Sequence, residues 1–158
     1  MKTLIVILIQ ASIILNVTAQ EQTSSETELP TEVVDVLNAY IHILTTSETL
    51  DECADRFLAI AGGGLVNPAG TKLRESVKPY SLKKDFENIK FYTVPVNVVR
   101  VVKSQTQMTG YGASAIAGDV YKIFIAKKDG TQPAPVQIVF PKEHPSISTP
   151  KITNIGSF

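Results

Sequence analysis

From Thr31 onward the apolar positions fall at helical steps. Val33, Val34, Leu37, Tyr40, Ile41 and Leu44 recur every three or four residues, which predicts a helix with a single inner stripe, and Thr31 stands where its N-cap belongs. Thr49-Leu50-Asp51-Glu52 reads as a capping box that opens a second helix, with Leu50, Cys53, Ala54, Phe57 and Leu58 on one face. Gly62-Gly63-Gly64 stops it, because repeated glycine lowers helix propensity and permits the left-handed turn that ends helices. Ser81 is placed to cap a short third helix over Leu82–Ile89, with Leu82, Phe86 and Ile89 inside.

Beyond Lys90 the period changes to two. Tyr92, Val94, Val96, Val98 and Val102 share a face interrupted by Arg100, and Pro95 marks an edge position or a bulge. DVYKIFIA is apolar on both faces, Asp129-Gly130 is a hairpin signal, PVQIVF returns, and KITNIGSF is the last predicted strand. Helices come first and strands last. That order predicts an α+β domain over residues 31–158, its N-terminal helices packed on a curved antiparallel sheet.

The segment before this domain changes where the protein is expected to act. MKTLIVILIQASIILNVTAQ carries one lysine, a short apolar run and Val17-Thr18-Ala19, the pattern of a secretory signal peptide cleaved near Ala19. Residues 20–30, QEQTSSETELP, have little apolar mass and read as a disordered leader. The expectation is export to a periplasm or the extracellular space, with no membrane span, since no apolar stretch approaches the roughly 20 residues that spanning needs. Fifteen Lys and Arg balance fifteen Asp and Glu, so nucleic acid and anionic membrane surfaces, which need a concentrated basic patch, are not expected partners. Cys53 is the only cysteine, which excludes an intramolecular disulfide.

The motifs with chemical connotations do not survive their context. AGGGLVNPAGTK is rich in glycine, but Gly64 and Gly70 enclose five residues where a phosphate loop has four, the ending is Gly-Thr-Lys, and the stretch follows a helix rather than a strand. Gly110-Tyr111-Gly112-Ala113-Ser114-Ala115 matches a dinucleotide fingerprint in letters, yet strand formers follow it instead of a helix. Cys53 falls on an inner helix face, where a small thiol is a packing residue. His42 and His144 have no cysteine or carboxylate at ligand spacing, so neither a metal nor any other cofactor is expected.

YIHILTTSETLDECADRFLAIAGGGLVNP resembles the opening of the nuclear-transport-factor-2-like superfamily, the cone-shaped α+β fold that includes ketosteroid isomerases and SnoaL-like cyclases. The resemblance extends as a pattern of elements over about residues 31–158. It implies that Tyr40 occupies the place of the tyrosine that donates a hydrogen bond to the developing oxyanion. It also implies that Asn67, before Pro68, stands where those isomerases carry a basic aspartate, and an amide cannot accept a proton near neutral pH. Asp119 cannot be aligned with the family's second acid.

The expected function is accordingly that of an exported, non-catalytic domain that binds a small apolar ligand, homodimerises through its sheet, or does both. Tyr40, Phe57 and Tyr92 are the expected pocket-lining residues. The alternative is an isomerase, dehydratase or hydrolase of the same fold using Asp119 or His144 as base. A third reading is an interaction module for another exported protein.

Overall fold

The computed structural model describes residues 28–158. The expected signal peptide, 1–19, and residues 20–27 of the leader lie outside the described residues. Helix α1 spans Thr31–Thr46 and α2 spans Leu50–Leu58. The expected start of α1 moves by one residue: Pro30 is the cap, its carbonyl accepting from Val33 N at 2.9 Å and Val34 N at 3.1 Å, and Thr31 is already helical. At α2 the expected cap forms. Glu52 N donates to Thr49 Oγ1 at 3.2 Å, and the Glu52 carboxylate accepts in return from Glu48 N at 2.9 Å, one residue earlier than the standard box.

The third helical stretch begins earlier than its sequence suggests. A π-helical turn over Val77–Leu82 runs directly into α3, Lys83–Asn88, and a 3₁₀ turn over Ile89–Phe91 completes it. Ser81 lies inside that run and has no helix start to cap.

Strands β1 (Val98–Thr109), β2 (Ile116–Ile125), β3 (Ala134–Pro141) and β4 (Lys151–Asn154) form a single antiparallel sheet in chain order. The domain is therefore α+β. The expected first strand starts later than its alternation implies: Pro95 lies in the bend before β1, and Tyr92 joins only an isolated bridge to Lys127. A pyrrolidine ring offers no N–H to a ladder, which accounts for the displacement.

One face of the sheet carries Tyr121, Ile123, Ile125, Val136, Ile138 and Ile152 into the main core beneath the helices. Val33, Leu37, Tyr40, Ile41 and Leu44 of α1 and Cys53 and Phe57 of α2 meet them there. The opposite face holds a small separate cluster of Ile116, Val120 and Val139, with Ile147 against it.

The two glycine-rich stretches have a shared structural use. A Cβ on Gly110 would lie 2.7 Å from the Gly63 backbone, and one on Gly112 would lie 3.0 Å from Pro68. Gly63, Gly110 and Gly112 all have positive φ, at 56°, 84° and 64°. The β1–β2 turn thus rests on the loop after α2 at a separation that only glycine permits. Glycines that look like phosphate and dinucleotide motifs are packed against each other.

Candidate functional site

The inner stripe of the third helical run, at Leu82, Phe86 and Ile89, also contains Asp85, three residues after Leu82. Asp85 is fully buried. Its Oδ2 accepts from the Tyr40 hydroxyl at 2.7 Å and from Gly156 N at 2.8 Å, while Oδ1 accepts from Phe158 N at 2.9 Å. Burial pushes the carboxyl above the usual carboxylate range, although the bonds from Gly156, Tyr40 and Phe158 each favour its ionised form. The Tyr40 phenol is likewise driven well up, by burial first and then by the neighbouring Asp85 charge.

Tyr40, Phe57 and Tyr92 all lie in this same core. The Tyr40 ring stands 5.2 Å from Phe57 and 6.1 Å from Phe158, and Phe158 in turn lies 4.5 Å from Tyr92 between centroids. The phenyl ring of Phe158, itself 2 % exposed, thus stands beside both Tyr40 and Tyr92. Asn88 Nδ2 holds the Phe158 carbonyl at 3.0 Å. The Tyr92 hydroxyl is buried without a hydrogen-bond partner, and burial raises its pKa to about 12.

Asp85 and Phe158 were not singled out in the sequence, but Asp85 did leave a signal. A carboxylate at the i+3 position of an apolar stripe must be buried with its stripe, and a buried carboxylate needs donors. Phe158 left none, because a single aromatic after Gly156-Ser157 does not reveal which helix it returns to.

The other candidate residues are dispersed. Asp119 accepts from Lys142 Nζ at 2.6 Å and pairs with Lys103 Nζ at 3.1 Å, and these lysines hold its carboxyl below the ordinary range. His144 is used inside its own loop, where Nδ1 accepts from Ser146 N at 3.1 Å and Ile147 N at 2.9 Å. Asn67 shapes a turn: its Oδ1 accepts from Thr71 N at 2.8 Å and Lys72 N at 3.1 Å. Cys53 is a buried free thiol whose pKa burial lifts to about 11.

Two surface cavities lie apart from the aromatic cluster. One, of about 370 Å³, is lined by Tyr80, Ser81, Lys83, Lys84, Glu87 and Gly156; the other, of about 180 Å³, lies at the glycine junction beside Arg74 and Tyr111. Among the described residues, no group of three or more His, Cys, Asp or Glu is arranged to hold a metal ion, and no helix is long and apolar enough to cross a membrane.

Four large apolar side chains are exposed along β1. This strand is 12 residues long and forms one edge of the sheet, so its outer N–H and C=O groups have no ladder partner among the described residues. Val98, Val99, Val102 and Met108 are 37 %, 49 %, 43 % and 68 % exposed. Its two cations are already engaged: the Arg100 guanidinium lies 3.7 Å from the Phe124 ring centroid, and Lys103 is paired with Asp119. Comparison with family models, curated proteins and solved structures finds no match to this chain.

Proposed function

We propose that this chain is an exported, non-catalytic domain that acts by pairing with a second copy of itself through the β1 edge and the adjoining outer face of the sheet. The single observation that carries the reading is the state of β1. A long edge strand with exposed valines is a template for strand addition, and proteins ordinarily blunt such an edge with outward lysines. Here Arg100 and Lys103 are both turned to partners within the domain. VVRVVKSQTQMT also contains no acidic residue. A second copy brings the same strand across a two-fold axis, its Lys103 charge already paired with Asp119 and its Arg100 guanidinium held over the Phe124 ring, and an isologous edge of this kind is self-complementary in its backbone groups.

Catalysis has weaker support. Asp119 is held ionised by two lysines, which weighs against its use as a base near neutral pH, and His144 is committed to its loop. The pairing of Tyr40 with Asp85 is the arrangement closest to an acid–base site, but both oxygens of Asp85 already accept from the fold. Phe158 packs against Tyr40 and Tyr92, two of the three expected pocket-lining residues, which disfavours the small-ligand reading relative to self-association.

Sedimentation velocity over a range of concentrations tests the proposal. The expected result is a reversible dimer that Val102→Lys weakens by at least about tenfold, roughly 1.4 kcal/mol, without loss of the folded spectrum. A wild type that stays monomeric at high concentration, or a dimer indifferent to charge at position 102, would contradict it.

A further inference from the structure

The segment Lys151–Phe158 is bound to the rest of the domain as a ligand is bound to a receptor. Ile152, Thr153, Ile155 and Phe158 are buried. Its polar contacts reach parts of the chain far away in sequence: Gly156 N and Phe158 N to Asp85, Phe158 O to Asn88, Gly156 O to Lys84 Nζ at 3.0 Å, and Lys151 Nζ to Ala59 O at 2.7 Å. Between β3 and Ile60–Gly62 it completes a local ladder, with Gly62 N donating to Ile152 O at 2.8 Å and Ile152 N to Ile60 O at 2.9 Å.

Its covalent connection to β3 is residues 142–150, an exposed loop apart from Pro150 and the half-buried His144 and Ile147. Within 143–149 the backbone bonds from Ser146 and Ile147 to His144 Nδ1 are internal to the loop. Glu143 has a φ of 56°, the one positive value for a non-glycine among the described residues. That conformation is strained for an L residue, and an extended loop relieves it. Among the described residues, Thr153 Oγ1 in the segment and Tyr92 Oη, whose ring lies 4.5 Å from that of Phe158, are buried without a hydrogen-bond partner. Opening the segment returns both groups to water, which offsets part of the cost of breaking its other contacts.

We infer that the groove lined by Asp85, Asn88, Tyr40 and Tyr92 is an exchange site that takes Lys151–Phe158 from a second copy of the chain, with residues 142–150 as the hinge. A second copy is the occupant because its segment offers the identical contacts, so exchange changes only the hinge, and the hinge is where the strain resides. Fully extended, the hinge spans roughly 30 Å at about 3.3 Å per residue, enough to cross between two bodies. This contact lies at the β4 side of the sheet and does not depend on β1 pairing.

The test uses Gln137 and Asn154, antiparallel partners on β3 and β4, since directly opposed residues of antiparallel strands lie about 4.5–5.5 Å apart between Cα atoms, within disulfide reach. Gln137→Cys and Asn154→Cys are prepared as separate chains, each carrying Cys53→Ala, then unfolded together and refolded at high concentration before oxidation. Exchange predicts a covalent heterodimer in the mixture that neither chain forms alone, and that persists when both also carry Val102→Lys. A mixture that stays unlinked, while the doubly substituted single chain closes its own disulfide, would overturn the inference. A second readout uses wild-type protein: refolding at high concentration should yield a dimer that survives dilution, with Glu143→Gly lowering its yield several-fold. No such dimer, or a yield unmoved by Glu143→Gly, would also overturn it.

Discussion

The two edges of this sheet have opposite treatments. At one edge, β4 has only four residues, yet it is enclosed between β3 and Ile60–Gly62, and the chain that continues from it inserts Phe158 among Tyr40, Phe57 and Tyr92. At the other, β1 has 12 residues and an outer side that pairs with no other strand among the described residues. Length therefore does not decide which edge is secure. A short strand is fixed when its neighbours satisfy its backbone and its side chains reach the core, whereas a long one remains available when its side chains are left on the surface.

Substitutions can break this contrast, and the largest effect belongs at the closed edge. Phe158→Ala removes a ring that contacts Tyr40 and Tyr92 in a packed interior, and is expected to cost about 3–5 kcal/mol in denaturant unfolding. Asp85→Ala follows, at about 3 kcal/mol, since it strips the acceptor from the Tyr40 hydroxyl and from two buried backbone N–H groups. A loss within about 0.5 kcal/mol for either variant, the range of ordinary surface changes, would mean that the edge is closed by something else.

The pH dependence of Asp85 sharpens the same comparison. Its folded pKa lies above its unfolded value of about 3.9 because burial disfavours the charged form. The proton-linked stability is consequently complete below that unfolded value and is lost as pH rises through the folded pKa. Asp85→Asn cannot titrate, so any stability advantage of wild type over this variant should shrink as pH rises from about 4 towards neutrality. An advantage that grows over that window reverses the sign and contradicts the assignment. The smallest effect is expected at the open edge: Val102→Ala should change the monomer's stability by less than about 0.5 kcal/mol.

The helices and the general α+β order were legible because helical stripes and strand alternation are local signals. Thr49 and Glu52, for instance, announce the start of α2 within four residues. Pro95 was legible only as a warning, and the strand start moved past it to Val98. The candidate site was harder to read, because its parts are joined over long separations. Asp85 meets Tyr40 across 45 positions and Phe158 across 73. Tyr40, Phe57 and Tyr92 could be recognised as inner aromatics, but not the fact that Phe158 lies beside them. On β1, alternation identified apolar positions without revealing that the helices would leave much of the strand uncovered.

Hydrogen exchange followed by mass spectrometry, at several protein concentrations, addresses the central claim most directly. Self-pairing at the open edge predicts that amides in Val98–Thr109 become progressively protected as concentration rises, while those of Lys151–Asn154 remain unchanged. Exchange in β1 that is independent of concentration, or protection that rises equally at both edges, would contradict it.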